Sequence, residues 1–121
     1  MEYQELGKSG IKVSEVSLGT WTISGGNWGK TDDEESIEVI RTAVDIGMNY
    51  IDTAHAYGRG HSEELIGRAL KDRRKDAVIC TKVVNRWDEA EQKMVTDCSY
   101  DSIMREFEKG LKRLQTNYVD V

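Results

Sequence analysis

Four short apolar runs, separated by segments of helical periodicity, restrict this chain to a parallel α/β architecture. The runs cover residues 16–18, 48–52, 77–82 and 118–121. The first helical segment opens at Thr31, with Glu34 three residues on in a capping-box pattern. Ile37, Ile40, Ala43, Val44 and Ile46 fall on one of its faces, and Gly47 supplies a stop. The second is expected to start on Ser62 as a cap, with Glu63 and Glu64 in a first turn where carboxylates suit the helix dipole. Its apolar face is Leu65, Ile66, Ala69 and Leu70. The third is expected over residues 100–114, with Ile103, Phe107, Leu111 and Leu114 as its stripe. Residues 87–97 ahead of it are polar and read as a loop. At the start of the chain, residues 3–6 and 11–16 flank Gly7-Lys8-Ser9-Gly10, which predicts a β-hairpin over 3–16.

A β-α-β-α-β-α-β order fits either an open doubly wound sheet or part of a (β/α)8 barrel. A doubly wound nucleotide domain wants Gly-x-Gly-x-x-Gly directly after a strand. The nearest string, Gly58-Arg59-Gly60-His61-Ser62-Glu63, has Glu63 where the third glycine belongs. A whole barrel takes ~200–250 residues. The 121 residues are therefore read as one partial domain, 1–121: the N-terminal half of a (β/α)8 TIM barrel behind an N-terminal hairpin. The first and last strands of such a half keep unpaired edges, so the segment is expected to self-associate or to pair with the missing half.

Composition removes other classes. A net charge of −5 discourages nucleic-acid or anionic-membrane partners. No apolar run approaches the ~20 residues of a membrane span, and the first residues lack the pattern of a signal peptide. Cys80 and Cys98 show neither metal nor redox spacing, and a reducing, cytoplasmic setting is expected. His55 and His61 near Asp52 lack the spacing of a zinc site, so no metal is expected.

In either architecture chemistry sits beyond the carboxyl ends of the parallel strands. Here those ends carry Gly19-Thr20-Trp21, then Asp52 with Tyr57 after it, then Lys82. Taken singly, Asp52 reads as a turn cap, Tyr57 as packing and Lys82 as surface charge. As an ordered trio they suit carbonyl reduction. A tyrosine hydroxyl can protonate a developing alkoxide, but its ordinary pKa of ~10 is high for an acid near neutrality. A lysine ammonium beside it stabilises the phenolate, and a carboxylate holds the lysine in place. Cys80 reads as a strand residue beside this trio, with Lys82 near enough to favour a thiolate.

The strings Ser17-Leu18-Gly19-Thr20-Trp21, Ile51-Asp52-Thr53-Ala54-His55-Ala56-Tyr57-Gly58, Ser62-Glu63-Glu64-Leu65-Ile66-Gly67 and Thr81-Lys82 resemble, in order, the aldo-keto reductase superfamily. The likeness covers essentially the whole chain and is greatest to the bacterial stress-type reductases and the potassium-channel beta subunits. It implies a barrel that reduces aldehydes or ketones with NADP as cofactor, acting on small-molecule carbonyls. Carried over, Tyr57 is the acid, Lys82 its activator and Asp52 the lysine's partner. Gly19, Thr20, Trp21 and Asp52 line the nicotinamide end of the cofactor, and Trp21, Trp28, His55 and Trp87 face the substrate. The family's catalytic histidine is expected a few residues past Val121, and the grip on the adenosine 2′-phosphate in the missing half. The segment alone is accordingly expected to be inactive. Two alternatives stand beside the enzyme: a cofactor-binding regulatory subunit like the channel beta subunits, and an inactive barrel fragment.

Overall fold

A computed structural model describes residues 1–121, apart from the side chain of Asn27. Two short strands, β1 (Tyr3–Glu5) and β2 (Lys12–Ser14), pair antiparallel at the start of the chain. Three strands form a parallel sheet in the order β3 (Leu18–Gly19), β4 (Tyr50–Asp52), β5 (Val78–Cys80). Helix α1 (Asp33–Asp45) connects β3 to β4, and α2 (His61–Leu70) connects β4 to β5. After β5 come β6 (Asn85–Asp88) and β7 (Lys93–Thr96), then α3 (Tyr100–Arg113). The sheet is open, not a closed barrel.

The core lies on one face of the sheet. Ile51 and Ile79 point from β4 and β5 into a layer made by Ile37, Ile40 and Val44 of α1 and by Leu65, Ile66, Ala69 and Leu70 of α2. Each fully buried Ile or Leu contributes about 1.5–3 kcal/mol by leaving water. Because strand side chains alternate, the neighbours Tyr50, Asp52, Val78 and Cys80 occupy the other face and stay half-buried. The chain's polar chemistry therefore stands on the side away from the core.

Local expectations are corrected at several points. The cap of α1 is Asp32, whose carboxylate accepts from the Glu35 amide at 2.9 Å, and not Thr31. The end of α1 does follow the glycine signal. Gly47 adopts φ 93°, and the amides of Gly47 and Met48 donate to Val44 and Ala43. Ile46, expected on the inner face, is exposed, since the helix ends before that residue completes a turn. Ser62 caps nothing; α2 begins a residue earlier, after Gly60, and the Ser62 hydroxyl is buried. Residues 87–97, read as a loop, contribute to the antiparallel β6–β7 hairpin, in which Trp87 pairs with Met94. Residues 118–121 form no strand of their own, although Val121 exchanges backbone hydrogen bonds with Ile79 and Thr81 along the free edge of β5.

The buried face of α3 also differs from its apolar stripe. Ser102, Glu106 and Gly110 turn inward, while Ile103, Phe107 and Leu111 are only half-buried. The reason lies on α2. Glu63 is fully buried there, accepts from the Thr81 hydroxyl at 2.7 Å, and forms an ion pair with Arg113 Nε at 2.7 Å. Helix α3 rotates its small residues toward this carboxylate, and a Cβ on Gly110 would stand 3.2 Å from it.

Candidate active site

The carboxyl ends of β4 and β5 bring Asp52, Tyr57 and Lys82 together. Gly19 pairs with Asp52, and Asp52 with Cys80, so the strand ends lie side by side. Lys82 Nζ donates to both Asp52 carboxylate oxygens, at 2.9 and 2.8 Å, and to the Thr53 carbonyl at 2.8 Å. It also lies 3.4 Å from the Tyr57 hydroxyl oxygen. Burial works against the lysine's charge, but Asp52 and Tyr57 outweigh it, and Lys82 is held above its ordinary range. The pair is open to solvent, with the Lys82 and Asp52 side chains 49% and 35% exposed. Its worth to stability is accordingly small.

Aromatic rings border the trio. Trp21 stacks on Tyr57, with ring centroids 5.8 Å apart and planes 21° apart. Trp28 meets Trp21 edge-on at 5.3 Å. Both indoles are exposed, standing on the short helical turns Thr22–Ser24 and Gly26–Trp28 beyond β3 and on their flanks. Gly19 is exposed beside Asp52.

Other expected site residues are placed elsewhere. The Thr20 side chain is fully buried. Its hydroxyl donates to the Asp52 carbonyl at 2.9 Å and accepts from Ser62 at 2.7 Å. Ser62 in turn meets the Thr53 hydroxyl at 2.9 Å. Since Ser62 and Thr20 already spend their protons, Thr53 is the donor, and three buried hydroxyls run in one direction to the Asp52 backbone. That relay fixes the strand end carrying Asp52. Sequence reasoning missed it, since Thr20, Thr53 and Ser62 are far apart in the chain and individually unremarkable.

His55 is buried at 5% exposure rather than turned to the open rim. Trp87 is half-buried under the Arg59 guanidinium, 3.8 Å above its ring. His55 and Trp87 share a separate cavity under the β6–β7 hairpin. His61 pairs with Asp33 at 2.8 Å, and no cluster able to hold a metal ion occurs among the described residues. Tyr50, the other tyrosine of this face, is pushed up to about 12 by its hydrogen bond with Cys80 and by burial, so it stays a neutral phenol.

Residues 15–121 match the model of the Aldo/keto reductase family. The chain belongs to that family. Aldo-keto reductase YhdN of Bacillus subtilis is 43% identical over 123 residues, covering 100% of this chain and 37% of that protein. A probable voltage-gated potassium channel subunit beta of Arabidopsis thaliana is 36% identical over 124 residues, with 100% and 36% covered. Among solved structures, the holo form of aldo-keto reductase AKR11C1 from Bacillus halodurans superposes with a TM-score of 0.88 at 34% identity, covering 98% of this chain and 38% of that one. An aldo-keto reductase from Klebsiella pneumoniae in complex with NADPH gives 0.70 at 26% identity, with 90% and 34% covered. The chain thus spans little more than a third of the length of the relatives it matches. Among the described residues no helix is long and apolar enough to cross a membrane.

Proposed function

We propose that the full-length protein reduces aldehydes or ketones to alcohols with NADPH, and that Tyr57 donates the proton. One observation carries this reading: a phenol, an ammonium and a carboxylate converge on one rim, with Lys82 Nζ 2.8 Å from Asp52 and 3.4 Å from the Tyr57 oxygen. The NADPH complex of the Klebsiella pneumoniae relative supports the choice of cofactor. The residues present fit the nicotinamide end of that cofactor. Gly19 offers bare backbone, with nothing within 4 Å of where a Cβ would stand, and the Asp52 carboxylate beside it is open to a ribose hydroxyl. Gly19, Trp21 and Asp52 would hold this end; NADPH, when bound, supplies the hydride.

The chain's own residues then do four things. Tyr57 holds a proton for the substrate oxygen. Lys82 stabilises the negative charge left on the phenol oxygen. Asp52 keeps the ammonium charged and in position. Trp21 and Trp28 form an aromatic wall beside the trio that orients the carbonyl.

The test is Tyr57→Phe in the full-length protein, assayed with a nitrobenzaldehyde and NADPH. Turnover is expected to fall about 10²–10⁴-fold, the usual worth of a positioned acid, with NADPH binding by fluorescence retained. Undiminished turnover would remove Tyr57 from this role. The likeness to the Arabidopsis channel subunit favours a second reading, a cofactor-binding regulatory subunit. Tight NADPH binding with no turnover of any carbonyl in the unmodified protein would select it. Residues 1–121 taken alone are proposed to be inactive, because they span little more than a third of the length of the relatives they match.

A further inference from the structure

The first turn of α2 holds a carboxylate outside the Asp52–Tyr57–Lys82 trio. Glu63 is fully buried, and each of its oxygens has a partner. Oε1 accepts from the Thr81 hydroxyl at 2.7 Å, and Oε2 from Arg113 Nε at 2.7 Å. Taking a carboxylate out of water is expensive, and the attraction of a guanidinium often does no more than offset that cost. A gain in stability is therefore a weak reason for the pair. What it fixes is position, since it joins the first turn of α2, the end of α3 and the residue before Lys82.

Thr81 and Lys82 lie just past β5, where the register with β4 has ended. Their backbone bonds there are long: the Thr81 amide donates to Val121 at 3.2 Å, and the Lys82 carbonyl accepts from the His55 amide at 3.4 Å. The bond from the Thr81 hydroxyl to Glu63 is shorter than either. Side chains alternate along an extended segment, so anchoring Thr81 toward the helices aims Lys82 at the opposite face. There its Nζ meets Asp52 and Tyr57.

The residue before Glu63 serves the other strand end. Ser62 joins Thr53 to Thr20, and the Thr53 carbonyl accepts from Lys82 Nζ at 2.8 Å. Arg113 in turn packs against the end of the turn that carries Tyr57, where a Cβ on Gly60 would stand 2.7 Å from its Nε. We propose that Glu63 is a positioning residue for the proton transfer: held by Arg113, it sets Lys82 against Tyr57 and Asp52 by way of Thr81. The role rests on Tyr57 being the proton donor.

The experiment measures turnover of a nitrobenzaldehyde by the full-length protein across pH, at saturating NADPH. Thr81→Val keeps the size of the side chain and removes the hydroxyl that reaches Glu63. It is expected to lower kcat about ten- to a hundredfold, the worth of a small misplacement, with NADPH affinity by fluorescence retained. The alkaline limb of the kcat profile is expected to move to higher pH, because an ammonium held less closely favours a phenolate less. Thr81→Ser restores the hydroxyl and is expected to recover both the rate and the profile. Glu63→Met combined with Arg113→Met removes the pair without stranding a charge, a change that buried pairs often tolerate. It is expected to show the same loss and the same displaced limb; if it does not fold, the two Thr81 variants decide. Parent behaviour in Thr81→Val overturns the role of Glu63, as does a loss that Thr81→Ser shares in full or that leaves the pH profile unmoved. Tyr57→Phe separates this from a failure of the underlying reading. If its turnover falls while Thr81→Val keeps the parent rate, the positioning role alone is lost; if its turnover is undiminished, both are.

Discussion

His55 carries an imidazole into an interior that penalises its charge. Burial lowers its pKa, against the opposing pull of Glu63 and Glu106, while Arg113 adds to the lowering and the Asn85 backbone opposes it. The unfolded chain therefore binds a proton that the folded chain resists. Stability is full above the ordinary histidine value of ~6.5 and falls as pH drops below it toward the depressed value. Denaturant midpoints followed through that window should decline in the parent and stay flatter in His55→Gln. Equal slopes would remove His55 as the cause. Glu106 titrates in a different window. Burial pushes it up, but Lys109 and Arg105 hold it below its ordinary range, so its contribution is lost only as pH falls through the carboxylate region. Neither effect is written in the residue letters, since a histidine after Ala54 reads equally well as a surface group.

The elements were legible where one local signal dominates. The apolar face of α2 is buried as its periodicity predicts, and Gly47 ends α1 because only a residue free to take a positive φ lets the chain close the helix carbonyls. Legibility failed where a distant partner decides. Residues 93–96 alternate too weakly to announce a strand, and β7 exists by pairing with β6. The stripe of α3 is displaced because a buried carboxylate on another helix outweighs partial burial of Phe107. Close approach of α2 and the end of α3 has its own requirement. A Cβ on Gly67 would stand 2.3 Å from the Arg113 carbonyl oxygen and 2.8 Å from the Leu114 carbonyl carbon. Both are backbone atoms that cannot swing away. Gly67→Ala is expected to destabilise by about 1–3 kcal/mol, despite the better helix propensity of alanine. A calorimetric melting temperature at or above the parent's would contradict this packing.

For the molecule as a whole, the sheet has a covered face and an open one. Tyr50, Val78 and Cys80 are half-buried on the open side, and β3 presents a free edge. Residues 1–121 on their own are accordingly proposed to self-associate or to pair with a complementary half, because exposed edges and half-buried apolar residues seek partners. Sedimentation should show species larger than the monomer, and a single folded monomer across a wide concentration range would refute it. The sequence by itself determined the three helices, the order of the three parallel strands, the identity of the core on α2, and the placing of Asp52, Tyr57 and Lys82 after β4 and β5. These follow from periodicity and from residues adjacent to a strand's end, which are local properties. Only the tertiary structure decided that Thr20 faces inward, that Ser62 bonds across to β3, and that His55 and Trp87 share a cavity with Arg113. Those outcomes depend on hydrogen-bond and charge partners up to tens of residues away, and a buried polar group goes where its partner is.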